Sequence, residues 1–218
     1  MSDKRVDVGT STLLHGDCYE ILSNAGLGAD LILTDPPYGI SLATDYRHRG
    51  RGRLAECRDF GNIHGDDKPF DPEFLFTHSD KIVTWGANYY SDKLEPSSGW
   101  LVWDKRVLEI TNDQADCELA WTNCVKGVRI FRHMWNGFLR DSERGEGYHA
   151  TQKPVALMEW VLSLINPKSV LDPFMGSGPV GVACAKMGIP YTGIEIDETY
   201  FKTSVERVTE ASKQLRLF

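Results

Sequence analysis

The densest grouping of chemically useful side chains is Asp35-Pro36-Pro37-Tyr38. It offers a carboxylate, a proline carbonyl and an aromatic face, which amount to two hydrogen-bond acceptors and a stacking surface. An exocyclic amine on a flat heterocycle requires that set: its two N–H groups need acceptors and its ring needs a π surface. The prolines make the turn stiff, because each fixes its own φ and neither can donate to a strand ladder. Taken alone, the tetrapeptide serves equally well as an ordinary strand-ending turn.

A second grouping decides between those readings. Asp172-Pro173-Phe174-Met175-Gly176-Ser177-Gly178 places a carboxylate just ahead of a glycine loop. The run from Gly176 to Gly181 has the G-x-G-x-x-G spacing, and Glu195 follows about twenty residues on, as a dinucleotide fingerprint requires. Three features disfavour a nicotinamide dehydrogenase. Asp172 would repel a pyrophosphate and welcome a cation. Pro179 removes a backbone N–H that a phosphate would use at a helix start. The loop also comes too late in a chain of 218 residues for the remaining strands of a dinucleotide fold in their usual order. S-adenosylmethionine (SAM) suits all three, since it has no phosphate, carries positive charge at sulfur and nitrogen, and has a ribose diol that an acid such as Glu195 can accept.

The elements that must position these groups can be read from periodicity. Residues 29–34 form an apolar run that reads as a buried parallel strand ending at Asp35. Residues 12–16 make an earlier strand, followed by Asp17-Cys18 and a short helix that Gly26 and Gly28 end. Asp17 at that strand end also suits a plain helix N-cap. Between 40 and 70 the periodicity disappears, and Arg47, Arg49, Arg51 and Arg53 alternate with His48, Gly50 and Gly52 in what reads as a basic loop. Such a loop fits a polyanion, and it fits a solvated surface as well.

Asp71-Pro72-Glu73 opens a helix. Strands follow at 81–85, 100–103 and 117–122, the last near the sheet edge. Residues 126–148, with Arg129, Arg132 and Arg140 among aromatics, read equally as a loop able to meet bases and phosphates and as a packed edge. An amphipathic helix runs from Pro154 to Asn166. A strand at 169–172, a helix at 179–187 with Gly188 after it, a strand at 191–196 and a final helix capped by Asp197 complete the chain.

Composition bounds the reading. The length suits one compact domain with a two-sided α/β core. The five cysteines (Cys18, Cys57, Cys117, Cys124, Cys184) are scattered and form no C-x-x-C pair, so neither a disulfide framework nor a metal site is indicated. No apolar stretch reaches membrane-span length and no signal-peptide core follows the first residues, so the expected compartment is the cytoplasm. A net charge of −7 argues against a uniformly basic surface, leaving any nucleic-acid contact to local arginine patches.

Asp35-Pro36-Pro37-Tyr38, the loop from Asp172 to Gly178 and His149-Ala150-Thr151-Gln152-Lys153-Pro154 together resemble the amino-methylating DNA methyltransferases in their β arrangement, where the catalytic half precedes the cofactor half. The resemblance covers nearly the whole chain and implies a Rossmann-like SAM-dependent methyltransferase fold: a mostly parallel seven-stranded sheet with helices on both faces and a circularly permuted motif order. It divides the chain into a catalytic half at about 10–125, a short target-recognition insert at about 126–148 and a cofactor half at about 149–218. It also implies residue roles. Asp35, Pro36, Pro37 and Tyr38 are catalytic. Asp17 and Cys18 sit by the cofactor adenine and Glu195 by its ribose. Thr151 and Lys153 lie beside its methionine end, near Asp172 and Phe174, and Asp35, Pro173, Gly176, Ser177 and Gly178 complete the cofactor-binding set. Ala150 stands where the family often has proline, and the recognition region is short.

The implied reaction is methyl transfer to the exocyclic amine of a flipped DNA base. Aspartate at the first motif position favours adenine N6, with cytosine N4 the alternative. Arg47, Arg49, Arg51, Arg53, Arg132 and Arg140 are the candidate DNA contacts. A catalytically silent subunit on the same fold, and an RNA or protein-amide methyltransferase, are further readings. A homodimer and a partner nuclease are left open.

Overall fold

The computed structural model describes residues 4–41, 64–106, 115–136, 139–143 and 152–215. Two strands, β1 (Lys4–Val8) and β2 (Ser11–His15), pair antiparallel. The Asp17 carboxylate then accepts the Tyr19 and Glu20 N–H groups and starts α1 (Cys18–Ala25), which ends at Gly26 with φ 58°. Next come the fully buried β3 (Leu31–Thr34) and β4 (Ile82–Trp85), then β5 (Trp100–Asp104), β6 (Cys117–Thr122) and β7 (Val128–Arg132). A hairpin of β8 (Trp135–Asn136) and β9 (Leu139–Arg140) follows. The last elements are α2 (Val155–Ile165), β10 (Val170–Asp172), α3 (Pro179–Met187), β11 (Tyr191–Glu195) and α4 (Glu198–Leu215).

Nine strands form one sheet in the order β1-β2-β11-β10-β3-β4-β6-β5-β7. The inner run from β2 to β5 is the expected seven, and β1 and β7 extend it by one strand on each flank. β1, Lys-Arg-Val-Asp-Val, hides in the sequence because most of its side chains are exposed. β7 falls in the stretch read as a loop or a packed edge; Arg129 and Arg132 obscure its alternation, and it is an edge strand that pairs parallel to β5. β6 was expected near an edge. It instead lies between β4 and β5, antiparallel to both, with Ala120, Trp121 and Thr122 buried. The expected helix after Asp71 is a five-residue 3₁₀ turn, Glu73–Thr77, its first N–H held by the Asp71 carboxylate.

Alternation along the central strands sends side chains to two cores. Leu31, Leu33 and Val83 pack with α2, α3 and α4, while Ile32, Ile82 and Leu171 pack with α1 and Leu75 of the 3₁₀ turn. From β10 the chain passes through α3 to β11 on one side; from β3 it continues to β4 on the other. The carboxyl ends of β10 and β3 therefore flank the point where the strand order reverses, which is where open α/β sheets bind ligands. No helix among the described residues is long and apolar enough to cross a membrane.

Candidate active site

Asp35 and Asp172 each close one of these two neighbouring strands, and Thr34 joins them by donating its hydroxyl to Asp172 at 2.8 Å. The stiff turn and the glycine loop, 137 residues apart in the sequence, thus share one end of the sheet. Pro36 is buried, and Asp35, Pro37 and Tyr38 are half-buried.

The Asp35 carboxylate is held by two donors. The Tyr38 hydroxyl gives its proton to Oδ1 at 2.6 Å, and the Lys153 ammonium donates to Oδ2. Lys153, only 3% exposed, also reaches the Tyr38 oxygen at 3.0 Å and Glu118 Oε2 at 3.1 Å. The other Glu118 oxygen accepts from Lys105 at 2.8 Å. Two carboxylates and two ammonium groups therefore form one partly buried chain with balanced charge, the condition under which such groups tolerate loss of water. Burial pushes Asp35 up, against the downward pull of Lys153. Glu118, between two ammonium groups, drops to about 2 despite its own burial. Lys153 is raised by its two carboxylate neighbours, which outweigh burial. Each Asp35 oxygen keeps a second lone pair with which to accept an incoming N–H.

The Tyr38 ring is fixed from two directions. Tyr89 stacks on one face, with centroids 5.0 Å apart and planes 16° from parallel. Gly86, at φ 70°, lets the backbone pass against the ring edge, and a Cβ there would collide with the tyrosine.

Around the glycine loop most of the expected residues meet, several of them with work of their own. Asp172 is buried and takes hydrogen bonds from Thr34 and the Phe174 N–H; burial pushes it up to about 7. Glu195 accepts the N–H of Gly176 at 2.7 Å and that of Asp197 at 2.8 Å, so it shapes the loop. Ser177 is turned inward, its carbonyl and hydroxyl both accepting from Arg207. Phe174 packs edge-on against Phe70 and Phe74, with Pro173 before it in the turn. A Cβ on Gly176 would meet nothing within 4 Å, whereas one on Gly178 would press on Ser204 of α4. Asp17 caps α1, and the buried Cys18 thiol is pushed up to about 12 by its apolar surroundings.

The Lys153 ammonium lies on Asp35, Tyr38 and Glu118. Thr151, Arg47, Arg49, Arg51 and Arg53 lie outside the described residues. Arg132 is exposed on β7, 3.7 Å from Asp104, and Arg140 lies over the Trp135 ring at 4.3 Å. Glu118, Lys105, Tyr89 and Arg207 escaped the sequence reading. The one signal was Glu118 itself, an acid in the otherwise apolar alternation of Cys-Glu-Leu-Ala-Trp-Thr.

The donor set fits a cationic nucleoside better than a phosphate. Asp172 is a buried carboxyl that a nearby positive charge would ionise, α3 begins with Pro179, and the space off Gly176 is open.

A family model described as DNA methylase, N6/N4 type, matches residues 102–206. YubD of Escherichia coli (strain K12), which carries a methylase name, is 36% identical over 94% of this chain and 93% of its own. The type II methyltransferases M2.LlaDCHI of Lactococcus lactis subsp. cremoris and M2.DpnII of Streptococcus pneumoniae are 32% and 34% identical over 63% and 61% of this chain. The chain spans less than half the length of those two, 45% and 43%. Among solved structures, the M1.HpyAVI–SAM complex matches with a TM-score of 0.54 at 23% identity, covering 90% of this chain and 99% of that one. The cytosine-N4-specific PvuII DNA methyltransferase matches at 0.56 and 14%, covering 95% and 93%.

Two substitutions probe this geometry. Asp172 keeps its proton up to about 7 when folded but loses it near 3.8 when unfolded, so its burial costs stability increasingly as pH rises through that window. Asp172→Asn should therefore raise the urea midpoint over wild type by a margin that grows from pH 4 to pH 8; a margin that is flat or negative at pH 8 would refute the assignment. Gly86→Ala should displace the Tyr38 ring and cut turnover at least about tenfold, a loss of about 1.4 kcal/mol in transition-state stabilisation, with little change in cofactor affinity. Normal turnover in that variant would show that the ring's placement is immaterial.

Proposed function

The chain belongs to the N6/N4 amino-DNA methylase family, and on that premise we propose that it is a SAM-dependent DNA methyltransferase acting on the exocyclic amine of a flipped base, adenine N6 above all. The observation that carries this is the Asp35-Pro36-Pro37-Tyr38 turn beside the loop from Asp172 to Gly178, joined through Thr34. In this reading residues 1–218 act as one methyltransferase domain, with the recognition insert beginning at about residue 126.

SAM, when bound, supplies a methyl group on a positively charged sulfur. Asp172, Phe174, the backbone from Gly176 to Gly178 and Glu195 would hold it, with Asp17 and Cys18 at the adenine end; Thr151 belongs to the same set by resemblance. Its presence in the M1.HpyAVI complex supports the assignment.

The target base cannot reach this depth while stacked in a duplex, so it must swing out at a cost of a few kcal/mol. Its ring then lies against Tyr38. Its amine donates one N–H to Asp35 and the other to the Pro36 carbonyl. The nitrogen lone pair is delocalised into the ring and nucleophilically poor, and two acceptors set to one side favour a pyramidal nitrogen with a localised pair. Lys153 keeps Asp35 anionic and fixes its plane, so the carboxylate acts as an acceptor before transfer. Once methylated, the nitrogen is acidic, and Asp35 is placed to receive its proton. No covalent enzyme–base bond is required.

Recognition of DNA falls to arginines. Arg47, Arg49, Arg51 and Arg53 supply a basic run, Arg132 precedes the β8–β9 hairpin and Arg140 lies on its second strand.

With labelled SAM and duplex DNA, Asp35→Ala should lose methyl transfer by at least about a thousandfold, on the scale of removing one preorganised polar group, while binding SAM within a few-fold of wild type. Undiminished turnover would defeat the proposal. Replacing Arg49, Arg51 and Arg53 together by Gln should weaken DNA binding and lower the slope of log K against log salt by about 2 to 3, close to 0.9 per lost phosphate contact. An unchanged slope would remove these residues from the interface.

A further inference from the structure

One ion pair outside the catalytic chain joins the glycine loop to the segment that follows the β8–β9 hairpin. Arg207, on α4, is largely buried, as is Glu143, 64 residues earlier in the segment that leaves the β8–β9 hairpin. The guanidinium donates from Nη2 to Glu143 Oε1 at 2.7 Å and from Nη1 to the Ser177 carbonyl at 2.7 Å and its hydroxyl at 3.2 Å. Glu143 in turn accepts the Gln152 amide on Oε1 at 3.2 Å and the Val155 N–H on Oε2 at 2.9 Å, at the start of α2. One guanidinium therefore fastens the glycine loop to an acid three residues past the β8–β9 hairpin.

The backbone shows that this position is held from outside. Glu143 has φ 51°, in the left-handed region that side-chain-bearing residues seldom adopt, and an unbranched acid has no local reason to go there. Three partners on its carboxylate over-determine it. Arg is suited to the task, because its planar fork spans two partners at once and its charge cannot be titrated away. The hairpin immediately before Glu143 carries Arg140 stacked on Trp135, an aromatic and a cation of the kind that meet nucleic acid.

We propose that Arg207 and Glu143 form a clamp through which occupancy of the glycine loop and the DNA-bound placement of the hairpin favour each other. The inference rests on the methyltransferase reading and adds to it a coupling between the two ligands. Arg207 is a positioning residue in this scheme, acting through Ser177 on one side and Glu143 on the other. Order in the loop is transmitted to the hairpin through two hydrogen-bonded charges with little room for adjustment. Coupling of this kind is reciprocal: whatever factor the cofactor adds to DNA affinity, DNA must add to cofactor affinity.

The test measures DNA affinity with and without saturating S-adenosylhomocysteine, and S-adenosylhomocysteine affinity with and without DNA, for wild type, Glu143→Gln, Arg207→Met and the double variant, with thermal unfolding as a check on folding. Wild type should show the same factor both ways, about tenfold, within the 5–150-fold range of such couplings. Glu143→Gln should bring the factor to within about twofold of one, with cofactor affinity in the absence of DNA nearly retained, and the double variant should lose no more coupling than either single one. Cofactor and DNA binding with an undiminished factor in Glu143→Gln would overturn the clamp and leave the methyltransferase reading intact. Failure of wild type to bind S-adenosylhomocysteine at all would overturn both. If a variant melts before it can be measured, Glu143→Asp, which keeps the charge but shortens the reach, must show a factor between those of wild type and one; a full wild-type factor there also defeats the proposal.

Discussion

A lysine ammonium held between two carboxylates fixes the geometry of the site. Lys153 touches Asp35, Tyr38 and Glu118, and its burial would be prohibitive without them. The dependence runs both ways. Asp35 would drift toward protonation in its enclosed position if the ammonium were absent, and a protonated Asp35 offers one acceptor fewer to an amine. Glu118 and Lys105 complete the charge balance from β6 and β5, so strands away from the Asp35 turn still set the electrostatics of the site. Mobility of any one member would loosen the aim of the carboxylate, and misplacement of an acceptor by an ångström is costly in a reaction that depends on orientation.

The sheet brings this chain of charges to the glycine loop. β3 and β10 are neighbours only because the strand order reverses between them, and both deliver an aspartate at their carboxyl ends. The two acids then diverge in character through their surroundings. Asp35 has an ammonium partner; among the described residues Asp172 has neutral donors only and a deep position, which leaves it up at about 7. A carboxyl of that kind is poised to ionise when a positive charge arrives beside it, whereas Asp35 is kept ready to accept hydrogen bonds. Two carboxyls at one end of a sheet are thereby suited to two separate tasks.

Much of this could be read from residues alone, for reasons that are local. Glycine or asparagine at a left-handed helix end, aspartate at a helix start and proline after a strand each impose their conformation within a few residues, which is why α1, α2, α3 and the strands before Asp35 and Asp172 lie close to where periodicity put them. What escaped was long-range. Whether β6 sits at an edge or between β4 and β5 depends on pairings across the sheet, and the role of Glu118 follows from that placement. Lys153 gave no local hint that its ammonium would cross to Asp35, 118 residues away. β1 was missed, and β7 could not be told from a loop, because edge strands keep charged side chains, which blur the alternation that marks a strand. Arg207 looked like any charged residue on the outer face of a helix until its partners in two other segments were visible.

The central claim is that Asp35, held by Lys153, presents a nucleobase amine for methylation. Its most direct measurement is the nucleoside content of duplex DNA after incubation with the purified chain and SAM, digested and resolved by mass spectrometry. N6-methyl-2′-deoxyadenosine should accumulate with time and be absent when Asp35 is replaced. N4-methyl-2′-deoxycytidine in its place would change the base and leave the chemistry standing. DNA that stays unmethylated while both DNA and SAM are demonstrably bound would contradict the claim.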